Sequence, residues 1–361
     1  MYRKTDNMMI HNRFSPFLAG FSLTLMAVAL SACGGGGSSA TTTTVAVIPT
    51  VATYSTLVTS VATPSYASTD NATISTLLSG VRIGSSAGLV AQSSALDVAA
   101  QNHANFLVNN SLVSDVTYLL TLFNGVLGGH YEDASKSAYT GATPQARTTA
   151  AGYGGTVSEL LSFGSASASD CMAAQENSVY HLAQLISPFV DVGIAFNAGN
   201  DSGTMCVIEL GLSKLTLGQL PADGSLVSYP YSTQSGVPPT FYNQSESPVP
   251  AADLSVAGHP IAVLLYSQSA PTLLGSDVVI QTFSLTPASG AQAGARILAQ
   301  TGVTSTGPAL TVDSNLGGAG EVFLLPLAPL AANTVYNVAF AAIVKGKAVS
   351  KNWSFTTGAM N

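Results

Sequence analysis

The sequence predicts an α/β protein in two parts, an α/β/α sandwich followed by an all-β sandwich. Three observations predict it. Apolar stripes at helical spacing recur between residues 74 and 186. Two alternating segments, VDVGIAFNAG (190–199) and TMCVIELG (204–211), follow them as an antiparallel pair. After Lys214 the helical stripes vanish, and short apolar runs recur between Gly, Pro and Asn turns.

The elements follow in order. ISTLLSGVR (74–82) sets Ile74, Leu77, Leu78 and Val81 on one stripe, and Gly84, Ser85 and Ser86 end it. ALDVAAQNHANFLVNN (95–110) is the clearest helix, with Leu96, Ala99, Ala100, His103, Phe106 and Leu107 on one face. DVTYLLTLF (115–123) reads as a helix or an insertion. TPQARTTAAGYG (143–154) is a short helix opened by Thr143, with Pro144 in its first position and Gly152 as its stop. CMAAQENSVYHLAQLI (171–186) reads as a third long helix, stopped before Pro188. In the second part YPYSTQSGVPPTF, HPIAVLLYSQ, DVVIQTFSLT, EVFLLPLAPL, TVYNVAFAAIV and KNWSFTTG read as strands. The division is a leader at 1–32, a Ser/Thr-rich tether at 33–72, a first domain at 73–214 and a second at 215–361. ATYSTLV (52–58) is where the tether would fold back onto the first domain.

The leader carries Arg3, Lys4 and Arg13 ahead of the apolar run FLAGFSLTLMAVAL (17–30) and LSAC (30–33), the pattern of an export signal. LSAC resembles the lipobox of bacterial lipoproteins, in which the cysteine, here Cys33, is acylated. A plain signal peptide cut after Ala32 is the alternative. Gly34 rather than Asp follows the cysteine, which in a host with two membranes implies an outer-membrane lipoprotein of the cell envelope.

Only 8% of the residues are charged and 47% are hydrophobic, far below the charged quarter of an ordinary soluble domain. Cleavage removes three basic residues and one acid, taking the formal net charge from -7 to -9. A nucleic-acid partner is excluded by that balance. An acidic surface is repelled by anionic headgroups, so contact with the lipid bilayer needs the acyl chain.

Without Cys33, two cysteines remain. In an exported chain Cys171 and Cys206 are a disulfide by default, local to the first domain, with two buried thiols as the alternative. His103 lies on an apolar helical face and reads as a buried, hydrogen-bonded core histidine. His130 follows two glycines, which leave the backbone free to aim its ring into a pocket. Glu159 stands before LL, where a carboxylate needs a partner or water. His181 has Asn177 and Ser178 one turn back on its helix, whereas Glu176 points off that face. His259, between Gly258 and Pro260, reads as a turn residue. Ser158 and Ser178 lie near these residues in sequence, but no Ser-His-Asp pattern activates them.

Seven pieces in order resemble the CAP superfamily (cysteine-rich secretory proteins, antigen 5 and pathogenesis-related 1) in its bacterial form. They are LLSGVR, AGLVAQSSALDVAAQNHANFLVNN, GHYE, YTGATPQARTTAAGY, TVSELLSFG, NSVYHLAQLISP and VDVGIAF. The resemblance implies an α/β/α sandwich with a solvent-filled cleft lined by two histidines and two acids. By motif, the histidines fall on His130 and His181 and one acid on Glu159. The second acid has no match, and Asn177 is the nearest residue on the right face. SYPYSTQSGVPPTF, PLAPLAANTVYNVAF and KGKAVSKNWSFTT resemble the Ig-like domains that follow CAP domains in some exported proteins.

These likenesses imply an envelope-tethered lipoprotein whose cleft binds a small apolar ligand, a peptide or a divalent metal. An alternative is a metal-assisted hydrolase of envelope polymers or peptides. There His130, His181 and Glu159 would hold zinc, magnesium or calcium, or act catalytically with Glu159 as base. A structural or adhesive surface protein with a vestigial cleft is the third reading.

Overall fold

The computed structural model describes residues 8–11, 52–197, 203–214 and 216–360, the first of these as backbone only. Cys33 and the tether up to residue 51 lie outside the described residues. No helix among the described residues is long and apolar enough to cross a membrane.

Strands β1 (Met8–His11) and β2 (Thr53–Thr56) precede helix α1 (Thr69–Ser85). Ser68 caps α1 by accepting from the Asn71 N–H, and Ser86 ends it at φ 64°. The short β3 (Ala91–Gln92) leads to α2 (Ser94–Asn109), capped by Ser93. Helix α3 (Val116–Leu120) and the hairpin β4 (Leu122–Phe123) and β5 (Val126–Leu127) follow. Helix α4 (Pro144–Ala150) has the expected Thr143 cap and first-turn proline.

Next come β6 (Thr156–Phe163), α5 (Ala168–Glu176), α6 (Tyr180–Leu185), β7 (Asp191–Asn197) and β8 (Met205–Leu212). The expected single helix over 171–186 is therefore two helices, broken at Asn177–Val179. The six-stranded sheet they build on runs β12-β1-β6-β8-β7-β3, where β12 is Glu246–Ser247. Helix α2 lies on β7 and β8, close enough that a Cβ on Gly193 would stand 2.1 Å from the Leu96 carbonyl carbon. Along β6, Leu161 and Phe163 join the apolar cluster of α2, whereas Leu160 joins the cluster of α1, α5 and α6. Arg82 closes the ends of α1 and α6, its buried guanidinium donating to the carbonyls of Ala87, Gly88, Leu185, Ser187 and Phe189.

The rest of the chain is strand. β9 (Thr216–Leu220) pairs in parallel with β2, so ATYSTLV folds back mainly onto a strand of the second part, while its Val58 carbonyl accepts from the Leu89 N–H of the first. β10 (Val227–Tyr229), β14 (Ile261–Leu264), β16 (Ala295–Ala299), β18 (Leu310–Val312) and β19 (Glu321–Pro326) form a five-stranded sheet. β15 (Val278–Pro287), β17 (Thr304–Ser305), β20 (Val335–Val344) and β21 (Lys347–Thr356) form a four-stranded one. β11 (Phe241–Tyr242) and β13 (Val256–Ala257) pair alone.

This corrects the expected α/β/α sandwich followed by an Ig-like β-sandwich. The strands lie in several open sheets, with parallel pairs at β1–β12, β3–β7, β15–β17 and β16–β18 among antiparallel ones. The six-stranded sheet is not a self-contained layer, because β12 comes from beyond residue 214.

The physical reason lies in the five-stranded sheet, whose inner strands β14, β16 and β19 are buried on both faces. Ala262, Leu264, Leu298, Phe323 and Leu325 join the core of α1, α5 and α6. Their neighbours Ile261, Val263, Ile297, Val322 and Leu324 join the core under the four-stranded sheet. Strands buried on both faces read as continuous apolar runs, as IAVL and VFLL do, and not as the one-sided alternation of a closed sandwich.

Candidate functional site

One face of β6 positions a buried ionic cluster. Glu159 Oε1 lies 2.8 Å from His130 Nδ1, and Oε2 accepts from Arg147 Nη2 at 2.5 Å. Arg147 reaches in from α4 and also donates to the His130 carbonyl at 2.9 Å. His103 comes from α2. Its Nε2 meets the Gly129 carbonyl at 2.8 Å and its Nδ1 meets Glu132 Oε1 at 3.1 Å. Both ring nitrogens of His103 thus face oxygen acceptors. Glu132 Oε2 also accepts from the Thr140 and Gly141 N–H groups. Arg147 thus faces two carboxylates, Glu132 and Glu159, inside a dry interior, with the His103 ring set between them. Burial of such a set is offset only where the pairs are close and well hydrogen-bonded.

Glu209 stands opposite Glu159 in the β6–β8 register. It is fully buried, and neither oxygen has a hydrogen-bond partner among the described residues. Burial, and then the Glu159 charge, push its carboxyl well above the ordinary range. Burial also opposes ionisation of Glu159, but Arg147, His103 and His130 outweigh it and hold Glu159 well below that range. For Glu132, the hydrogen bond and charge of His103 and the charge of Arg147 likewise outweigh burial.

His181 is placed differently. Glu246, from β12, accepts from the backbone N–H groups of Val179, Tyr180 and His181 at 2.8, 2.7 and 3.2 Å. His181 Nδ1 lies 3.3 Å from the same carboxylate. A carboxylate on three open N–H groups caps α6 and meets the positive end of its dipole. That cap is why the helix breaks after Asn177. Asn177 Nδ2 donates to the Thr240 carbonyl, and its Oδ1 takes a hydrogen bond from His259 Nδ1 at 2.9 Å. His259 does lie outside regular structure, but it is fully buried, and burial lowers its pKa to about 3.

Of the expected cleft residues, His130 and Glu159 are brought together. His181 pairs with Glu246 on the helix that packs into the cluster of α1 and α5, and Asn177 with His259. His130, Glu159 and His181 are 0, 1 and 0% exposed, so they line no open cleft. The expected divalent metal, whether zinc, magnesium or calcium, is corrected as well. Among the described residues no group of three or more His, Cys, Asp or Glu side chains is arranged to hold a metal ion. The Arg147 guanidinium already serves as the cation against Glu159, and a second positive centre there would be repelled. The metal-assisted hydrolase loses the ion on which it rested. The Cys171–Cys206 disulfide is present and ties α5 to β8.

Sequence reasoning missed Glu132, Glu209, Glu246 and Arg147. Glu132 was within reach, as the last residue of GHYE. Glu209, a lone acid in MCVIELGL, carries the same signal as Glu159. Nothing in QSESPVP announces that Glu246 caps a helix 66 residues earlier.

The carboxyls fix a pH dependence. Burial raises Glu176 and Glu321 to about 7, and it raises Glu209 well above the ordinary carboxyl range too. A raised folded-state pKa gives stability that is full below the unfolded value of 4.5 and is lost as pH rises through the folded value. Glu132 and Glu159 are depressed, so their contribution is present above 4.5 and lost as pH falls. Stability should therefore peak near about pH 5 and decline toward pH 8. Urea midpoints between pH 4 and 9 check this, and Glu209→Gln should flatten the decline. A midpoint that climbs from pH 5 to 8 contradicts the assignment.

No family model matches this chain, and no curated protein is similar to it.

Proposed function

We propose that the chain is an exported binding protein, tethered to the cell envelope through acylated Cys33, whose first part takes a small apolar ligand or a peptide. One observation carries this reading. Every side chain expected to do chemistry is already committed to a neighbour in a dry interior: His130 to Glu159, Glu159 to Arg147, His181 to Glu246. A general base or nucleophile must be within reach of substrate, and these three are 0–1% exposed. The charge balance, the leader and the disulfide support an exported chain. The order of the seven motifs supports kinship with the CAP superfamily.

Two measurements test the proposal. Intact mass of membrane-extracted protein should give an N-terminus at a modified Cys33. Thermal melts with apolar ligands and with short apolar peptides should show a concentration-dependent rise. A ligand present at a hundred times its Kd adds about 2.7 kcal/mol. If neither class raises the melting temperature, the binding reading falls and a structural or adhesive role takes its place.

A further inference from the structure

We infer that removal of the leader opens a slot between β6 and β12 that takes an extended, apolar polypeptide segment as an added strand. This rests on the export reading and deepens the binding proposal by naming the ligand's form.

Strand β1 lies in the leader, ahead of the proposed cleavage point. It pairs antiparallel with β6, Met8 to Phe163 through His11 to Leu160. On its other side it pairs in parallel with β12, Met9 to Glu246 and Ile10 to Ser247. A four-residue strand thus bridges two walls. Cleavage before Cys33 takes that strand away and leaves both walls without their partner.

Each wall keeps its place without β1. β6 is hydrogen-bonded along its full length to β8 on the opposite edge. β12 is held by the Glu246 carboxylate on the start of α6. The slot therefore cannot simply close. With β1 in place its β6 wall, Leu160 to Phe163, is 0–4% exposed, and the backbone groups that lose β1 there are left without a protein partner. An incoming strand satisfies them, as in β-strand addition.

The walls also define the chemistry of the guest. Leu161 and Phe163 lead into one apolar cluster and Leu160 into the other, so both faces of the guest meet dry surroundings. A guest strand needs apolar side chains at successive positions, a free N–H at each, and no proline.

The test uses the exported protein extracted from its membrane, with its N-terminus read by mass. The probe is a labelled peptide of residues 7–12, NMMIHN, followed by fluorescence anisotropy. Saturable binding is expected. N-methylation at the position of Met9, or of Ile10, should each weaken it by about tenfold or more, because both neighbours draw on the guest backbone. Retention of residues 1–32 in the protein extracted from the membrane overturns the inference along with the reading of cleavage before Cys33. Cleavage with no binding overturns the slot alone and leaves the export reading standing. Binding indifferent to N-methylation also overturns it, since recognition would then bypass the backbone and point to a small apolar ligand.

Discussion

Replacing Arg147 by methionine is expected to remove about 3–5 kcal/mol of stability, the usual result of breaking a buried ion pair on one side. Methionine fills the stem volume of the arginine. It leaves Glu159 Oε2 and the His130 carbonyl without their donor. Glu132, 3.7 Å from Arg147 Nε, loses a countercharge as well. Glu159→Gln in the same background removes the stranded charge and should recover part of the loss. Urea melts of the two single variants and the double variant give the coupling directly. The penalty should shrink as pH falls, because protonation of Glu159 removes the stranded charge. A loss under about 1 kcal/mol, unchanged by Glu159→Gln, would show that the guanidinium is not the counter-ion that the geometry assigns.

Cutting the Cys171–Cys206 bridge should lower stability by about 3–4 kcal/mol for its 35-residue loop, and Trp353 should report the loss. Trp353 is the single tryptophan, buried in the core between the five- and four-stranded sheets. Both cysteines sit in the cluster that also holds Phe323 and Leu325 of the five-stranded sheet. The sequence suggested a bridge whose effect stays within the first part. The shared core instead links the bridge to the strands on which Trp353 rests. In the Cys171→Ala, Cys206→Ala variant, Trp353 emission and far-ultraviolet circular dichroism should shift together. A Trp353 midpoint that stays in place while the helical signal moves would show two independent units.

Local signals made much of the first part legible. The apolar stripe of α2, the Thr143-Pro144 start of α4 and the alternation of β7 and β8 all act within a few residues of where they are read. His103 was read as a buried, hydrogen-bonded core histidine, and it is one. What failed depends on distant partners. The break in the third helix is set by Glu246. β6 hides because Leu160 and Leu161 are buried on opposite faces and erase the alternation that marks a half-exposed strand. The metal expectation weighed histidines and acids alone, and overlooked that Arg147, also in a matched motif, supplies the positive charge.

The Glu246 cap has a consequence for how the chain is made. A chain emerging from its N-terminus presents α6 well before the residue that satisfies its first turn. Val179, Tyr180 and His181 wait for a carboxylate 65 to 67 residues behind them. Phe323 and Leu325, which close the same core, arrive later again. The helical segment therefore leaves the ribosome and the export machinery with an uncapped helix and an open apolar face. Holding such a segment unfolded until residue 325 has cleared favours transport of the whole chain ahead of folding. Nascent chains halted near residue 214 should accordingly be cut by protease within residues 171–186, whereas the finished protein resists.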